Sequence, residues 1–555
     1  MRAIEQLFMN TILAGISRQA IDSCSKWSEK YRVMGPPFPG PWRNTYHPWV
    51  NGMLDCEVET IVGQKAAQCT FTEVALNKAL YYIDMFQYSV LYVLPAATPH
   101  AANFSKSRFD PALELSPHLS ELFTDVKNVQ HKRAGAANLF IRGSRSKTGL
   151  KSDPCPVMIF DEVEEMDVDK LFLAIERASG QLFKHYYFLS TPSHEDVGIN
   201  KLYKPTDQRH FCFPCPWHSV NGKPGFIEWN SLDNLVITAE DIHDPAIHNS
   251  YYICPTCKHT IAHQDKHLLL ADGIWVPQFE NRNSAGFHIN QFYTPTINPG
   301  EMATAVINAE SDSAAEQELY NSKMGVPHTV AGGRVEETHI VNCIIDYSMQ
   351  SQTTGNNLVT MGVDVGKKLH VEIDEWFLDG AGETTTADPN SIARPRIVNA
   401  FTVDAFEELD HLLNQYNVHF CVIDYLPETR KTLEFCNRNI ERVRACFYAR
   451  GVSAREISRP DSDPRLIHVN RTAWMDLALG RFMQTRIGVP MNIPSSYKIH
   501  VRTPIRHYEH DTEGNILGRW LTPESKADHH AHSRTYAEIA FRLACSLGKS
   551  QDTWE

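Results

Sequence analysis

Two adjacent carboxylates, Asp161 and Glu162, end the apolar run Val157-Met158-Ile159-Phe160. A short run of this kind suits a strand buried on both faces, and its carboxyl end is where open α/β sheets gather ligands. One acid there can hold a metal ion that is bound to nucleotide phosphates, and its neighbour can orient or deprotonate an attacking water. About a hundred residues upstream, Lys65 opens the loop Lys65-Ala66-Ala67-Gln68-Cys69-Thr70-Phe71-Thr72 between a strand-like and a helix-like stretch. A phosphate loop of the usual form carries glycines and a late lysine. This one keeps only the hydroxyl, at Thr72, and moves its lysine to the first position. The chemistry needed is positive charge near the terminal phosphates and free backbone N–H groups at a helix start, which a lysine entering from the other end can serve.

A second set of acids lies in the last third. Asp364 sits in Gly362-Val363-Asp364-Val365-Gly366, Asp424 ends the run Phe420-Cys421-Val422-Ile423, and Asp528 precedes His529, His530 and His532. Each acid alone reads as a strand-end turn or a helix cap. Together, two strand-borne aspartates and one helix-borne acid can hold two divalent ions that activate water and stabilise the leaving oxygen of a phosphodiester, and magnesium or manganese suits such an oxygen-lined site. A third constellation is Cys254-Pro255-Thr256-Cys257, a knuckle whose partner is either Cys212 with Cys215 or Cys215 with His218. The second choice repeats the Cys-Pro register and is preferred. It predicts a closed, structural zinc site of Cys215, His218, Cys254 and Cys257.

The elements that must position these groups follow from periodicity. Strands are expected at 58–62, 90–94, 138–141, 157–160 and 186–189, with helices over 72–83 and about 99–109. That alternation predicts a parallel sheet. Helical spacing resumes over 302–324. The polar stretch 351–357 reads as a domain boundary. Beyond it come strands at 358–365, 370–377 and 395–403, a helix over 405–416, a strand at 419–424 and a late helix over 523–547. Three strands, a helix, a strand with an acid and a late acidic helix match the layout of RNase H-like nucleases.

Composition bounds the class. The 555 residues are long enough for two to four domains, and 42% hydrophobic with 21% charged residues is ordinary for globular chains. No apolar run approaches a membrane span, and the start lacks the pattern of a signal peptide, so a cytosolic protein is expected. A formal charge of -13 excludes a uniformly basic coat but not a local basic stripe for nucleic acid. The thirteen cysteines are mostly scattered, which argues against a disulfide scaffold.

The order of lysine loop, Asp-Glu strand and then Ser190-Thr191-Pro192 at the end of the next strand is that of DNA-translocating ATPases. With Gly40-Pro41-Trp42, the stretch 150–165, 189–192, and the segments 273–277 and 285–295, the chain resembles the large terminase subunits of tailed phages, in particular the lambda-like family. That family also starts its phosphate loop with lysine and carries a Cys-rich insertion. The resemblance implies an α/β architecture: an N-terminal helical segment (1–35), a P-loop (ASCE-type) ATPase domain (36–350) with the zinc-knuckle insertion at about 206–275, a linker (351–358) and an RNase H-like, RuvC-type nuclease domain (359–555).

It further implies ATP bound by Lys65, Gln68, Thr70 and Thr72. Asp161 would hold Mg²⁺, Glu162 would serve the water, and Trp49 or Tyr46, with Trp49 preferred, would lie against the adenine. Ser190 and Thr191 would couple hydrolysis to DNA grip. Thr70 stands where the family usually has glycine, and His532 where its late helix usually has an acid, four residues before Tyr536-Ala537. Asp528 is therefore taken as the third nuclease ligand, with His532 as helper. The implied partners are double-stranded DNA, a small terminase subunit, the capsid's portal protein and further copies of the chain when docked, in the host cytoplasm and at the portal vertex, with no membrane. The rival readings are a helicase or repair translocase with a nuclease, and a DNA-binding protein that no longer hydrolyses ATP.

Overall fold

The computed structural model describes residues 21–551 apart from 37, 125, 146–154, 179, 352, 379–387 and 524–525. Most of the expected N-terminal helical segment and residues 150–154 of the acidic-strand stretch thus lie outside the described residues. Within it Cys24–Tyr31 is helical. Internal contacts divide the chain into one unit ending at His328, joined by Glu509–Ile516, and a second made of Thr329–Tyr508 and the chain from Leu517 onward. That division precedes the polar stretch at 351–358. There Thr354 donates its backbone N–H to Glu375 at 2.8 Å, inside the second unit. Polarity alone suggested a linker; a buried carboxylate partner holds the stretch in place.

In the first unit, β1 (Thr60–Lys65), α1 (Phe71–Phe86), β2 (Val90–Leu94), β3 (Ala137–Gly143), β4 (Val157–Asp161), β5 (His185–Ser190), β6 (Arg209–Val220), β7 (Lys223–Ile227) and β8 (Ala285–Ile289) organise the chain. The sheet order is β7-β6-β8-β1-β5-β4-β2-β3, parallel from β6 to β3, with antiparallel strands added beyond β3. The apolar runs are continuous because both faces are covered. Ile159, Tyr187 and Leu189 pack into the core that contains Leu76 and Leu80 of α1. Their chain neighbours Met158, Phe160, Tyr186 and Phe188 pack into a second core on the other face with Val163 and Leu171. Alternation along each strand thus divides one apolar run between two cores.

Two helices depart from expectation. The 99–109 region consists of short π-helical turns around Ala102–Phe104 rather than one regular helix. The 302–324 periodicity is cut between Pro299–Ala309 and Ser313–Glu318, where Asp312 caps the second helix by accepting the N–H groups of Ala314 and Ala315.

The second unit contains β9 (Leu358–Val365), β10 (Leu369–Leu378), β11 (Ala393–Val403), α2 (Phe406–Gln415), β12 (Phe420–Asp424), β13 (Val443–Tyr448), β14 (Ile457–Ser458), β15 (Leu466–Val469), α3 (Arg471–Met483) and α4 (His529–Gln551). Strand order is β11-β10-β9-β12-β13-β15-β14: an antiparallel meander β9–β11 that continues in parallel through β12, β13 and β15. This is the RNase H-like layout read from the sequence. α2 buries Leu409 and Leu413 on one face with Met361, Val363, Cys421 and Ile423. On the other face, Phe420 and Val422 meet Tyr536, Ile539 and Ala540 of α4.

α4 lies on β9 at close range. A Cβ at Gly362 would sit 2.0 Å from the Ser533 carbonyl oxygen and 2.3 Å from the Ala537 nitrogen. Only glycine allows that approach. Buried ion pairs add to it, with Arg534 of α4 reaching Glu372 of β10 at 2.8 Å. The helix starts at His529 rather than 523, because the chain first turns at Asp528, whose carbonyl accepts the Ala531 N–H. No described helix is long and apolar enough to cross a membrane.

Candidate functional sites

The first site is a cavity of about 730 Å³ between the end of β1 and the start of α1, lined among others by Lys65, Gln68, Thr70, Thr72, Glu162 and Thr191. β1 delivers Lys65 and β4 delivers Asp161 from either side of β5, where Asp161 is level with Gly63 and Lys65 stands two residues further toward the carboxyl end. Lys65 is only 6% exposed; its ammonium lies 3.5 Å from the Thr191 hydroxyl. Asp161 is wholly buried, accepts from the Tyr92 hydroxyl at 2.7 Å and also from the Thr72 hydroxyl. Burial, reinforced by the charge of Glu162, pushes its carboxyl up to about 6, against the pull of Lys65. A bound cation there would offset that cost. Glu162 turns toward the cavity through a left-handed backbone, φ 63°, that ends the strand abruptly.

The loop itself has an unusual internal accounting. The N–H groups of Ala66 and Ala67 are taken by the carbonyls of Ile289 and Ser322. Phosphate must therefore meet the donors from Gln68 onward and the N-terminus of α1, where the Thr70 side chain makes no capping bond. Gln68 and Thr70 both have positive φ, 59° and 71°. For β-branched Thr70 this is a strained conformation.

Not every expected residue converges. Trp49 is fully buried and holds the loop from behind, donating its indole N–H to the Cys69 carbonyl at 3.2 Å. It is not among the residues lining the cavity, whereas Tyr46 is, stacked against Phe38 at 5.5 Å. Trp49 goes to the core because a tryptophan large enough to cover a base is also large enough to fill a core. Thr191 reaches the site, but the Ser190 hydroxyl accepts the Glu164 N–H behind it at 3.2 Å. Glu164 is itself engaged with Ser193 and the Ile199 N–H. Arg43 and Arg108 also line the cavity, and no spacing in the sequence marked them.

In the second unit, Asp364 of β9 and Asp424 of β12 lie on neighbouring parallel strands. Burial, with Asp364 adding its charge, raises Asp424 to about 6. Asp528 has close partners of its own. Its carboxylate is held by the Thr522 hydroxyl and lies 3.2 Å from His532 Nε2, and these partners hold it well below the usual carboxylate range despite burial. His532 also receives the Tyr448 hydroxyl contact at 3.2 Å and feels the charge of Asp424. Asp528 thus braces His532 instead of standing free beside the aspartate pair. Asp364 instead meets His529 Nδ1 at 2.7 Å, and His370 lies close by.

The cysteine constellation assembles around the end of β6. Ligand atoms of Cys215, His218, Cys254 and Cys257 all lie within 4.8 Å of one another. Cys215 Sγ and Cys257 Sγ are 3.8 Å apart, and Cys254 Sγ and His218 Nδ1 3.7 Å. Thiolates about 2.3 Å from a tetrahedral ion have edges of about this length. The four residues therefore fit zinc. Cys212 stands outside the group, against the His210 carbonyl. Burial pushes the Cys215 thiol up to about 12, while a backbone hydrogen bond at His259 draws Cys257 down to about 7.

One unit with a lysine loop, a helix N-terminus and a strand-end Asp-Glu pair, and another with an RNase H-like sheet carrying paired aspartates, define a nucleotide-hydrolysing, nucleic-acid-cutting enzyme. Family models agree. The ATPase domain of phage terminase large subunit gpA matches residues 37–275, and the endonuclease domain of terminase large subunit gpA matches 284–465. The chain belongs to the phage terminase large subunit family, and its ATPase and endonuclease domains are those of a phage DNA-packaging motor that cuts DNA. This sets aside the helicase reading. ATPase and nuclease domains of this kind use nucleotide and divalent metal.

No curated protein matches the chain. Among solved structures, the HK97 bacteriophage large terminase is similar at 10% identity and TM-score 0.49, covering 93% of this chain and 98% of its own. A large terminase from a thermophilic bacteriophage is similar at 8% and 0.31, covering 89% and 98%. The Thermus phage P74-26 large terminase ATPase domain is similar at 11% and 0.31, covering 52% and 94%. Likeness at that level adds nothing to the assignment, which rests on the two family models.

Proposed function

We propose that the cavity at the head of α1 is the ATP site and drives movement of double-stranded DNA into a capsid. On this reading Lys65 neutralises the terminal phosphates, Gln68 and Thr70 contribute backbone at the helix start, and Thr72 with Asp161 would hold Mg²⁺. That ion would supply charge to the phosphates. Glu162 orients the attacking water and takes its proton, and Thr191, in contact with Lys65, carries the loss of phosphate into β5, with Ser190 bracing Glu164. Tyr46 rather than Trp49 serves the base. One observation carries the reading: lysine, hydroxyl and both acids, drawn from two separate strands and a helix start, converge where α1 can receive an anion. The test is DNA-stimulated phosphate release by the full chain. Lys65→Ala and Glu162→Gln are each expected to reduce it at least about a hundredfold, with Glu162→Gln alone retaining ATP binding. Unchanged hydrolysis in Lys65→Ala would refute the displaced-lysine role.

Cutting of concatemeric DNA is assigned to Asp364 and Asp424, with His532, braced by Asp528, at the third position and Mg²⁺ or Mn²⁺ as the metal. The ATPase part extends to about His328, the nuclease part follows, and zinc at Cys215, His218, Cys254 and Cys257 staples the insertion at about 206–275. The partners proposed are a small terminase subunit, the portal and other copies of the chain, in the host cytoplasm and at the portal vertex. Family membership supports these partners.

A further inference from the structure

The nuclease centre is richer in imidazole than in carboxylate. Asp364 and His370 are directly opposed across the antiparallel β9–β10 ladder, so their side chains leave the sheet on the same face. α4 crosses that face, pressed onto Gly362, and its first residue, His529, completes the group: ligand atoms of Asp364, His370 and His529 all lie within 4.8 Å of one another. The His370 and His529 rings stack at 4.2 Å, and His500 stands 5.6 and 5.7 Å from them. The Nδ1 atom of His500 is enclosed and meets no hydrogen-bond partner. Enclosed polar atoms without a partner are rare, and each calls for an explanation such as an ion. A core that needed only to pack would use carbon here.

We propose that Asp364, His370 and His529 form a mixed carboxylate–imidazole centre that binds a divalent first-row transition ion in preference to Mg²⁺. This deepens the assignment of Asp364 to the nuclease metal site and rests on it. Imidazole is a poor donor for magnesium, which keeps to oxygen, but a good one for later first-row ions. Three protein donors from two strands and a helix start leave positions open for water and a phosphate oxygen, and the ion takes the place of the hydrogen that now bridges Asp364 and His529. His500 is a positioning residue packed against both imidazoles.

The probe is Mn²⁺ alone, added to the full chain without nucleotide, because thiolates bind it poorly and its electron spin echo reports nitrogen donors directly. The wild-type chain is expected to show ¹⁴N modulation from coordinated imidazole. His370→Asn and His529→Asn are each expected to weaken the modulation and lower Mn²⁺ affinity at least about tenfold, with Mg²⁺ competing poorly for the wild-type site. No ¹⁴N modulation in the wild type, together with loss of Mn²⁺ in Asp364→Asn, would overturn the imidazole centre and leave a metal held by the Asp364–Asp424 pair standing. Unchanged Mn²⁺ binding in Asp364→Asn would overturn both. The wild-type spectrum needs no variant, so a substitution that fails to fold does not blunt the test.

Discussion

At the scale of single residues, two positions hold consequences that side-chain type alone conceals. Thr70 caps α1 with φ 71°, a left-handed conformation that a β-branched residue adopts at a cost of about 1–2 kcal/mol. Thr70→Gly is expected to stabilise the first unit in equilibrium unfolding, by about 1 kcal/mol once glycine's extra unfolded-state entropy is subtracted, and to keep or increase ATP hydrolysis. A destabilised Thr70→Gly would mean that the threonine side chain makes a contact worth more than the strain. His288 on β8 is the second. Burial lowers it to about 4, and its Nε2 meets the Met324 carbonyl at 3.0 Å. The unfolded chain binds a proton there near pH 6.5 and the folded chain does not until about 4. Stability is therefore full above 6.5 and lost as pH falls toward 4, by up to about 3 kcal/mol. Equilibrium unfolding of His288→Gln, which can still donate to Met324, should show a flatter slope across that window. An unchanged slope would place the acid sensitivity elsewhere.

At the scale of elements, the contact between α4 and β9 decides whether the nuclease centre exists. Asp364 lies two residues beyond Gly362 on the same face of β9, so any lift of α4 separates His529 and His532 from both aspartates. Gly362→Ala drives a methyl into the Ser533 carbonyl and the Ala537 nitrogen, atoms of helix backbone that cannot rotate away. We expect it to destabilise the second unit by about 1–3 kcal/mol and to abolish plasmid nicking while ATP hydrolysis persists; nicking at the wild-type rate would show that the helix tolerates displacement. The insertion is expected to depend likewise on its four-donor group. Cys254→Ser is expected to lose one zinc per chain by metal analysis, and solubility with it, whereas Cys212→Ser should keep the metal, since Cys212 stands apart from the other donors.

For the whole molecule, two centres on two separate sheets should fail separately. Asp364→Asn is expected to stop DNA cutting in Mg²⁺ and Mn²⁺ and leave DNA-stimulated phosphate release within about twofold of wild type, with Glu162→Gln showing the reverse, because sites without shared partners behave independently. Loss of both activities in either variant would refute the division. Much of this plan was legible in the chain itself. A short continuous apolar run suits a strand covered on both faces, so β2, β4, β9 and β12 could be read from hydrophobicity, and the aspartates of β4, β9 and β12 from their place on those runs. The Cys-Pro knuckles announced themselves by local repetition, and Lys65 and Thr72 by their place before a periodic helix. What spacing could not supply is which residues meet when no sequence interval connects them. That His370 faces Asp364 is a matter of strand register; that Trp49 supports the loop while Tyr46 meets the cavity is a matter of which aromatic the core swallowed; and that Asp528 braces His532 instead of joining the aspartates depends on where α4 begins. Local sequence determined the elements and the acids at their ends, because burial and periodicity act over a few residues. Only the tertiary structure decided which donors meet, because atoms within a few ångströms come from separate strands and helices, as with Asp364 and His529, 165 positions apart.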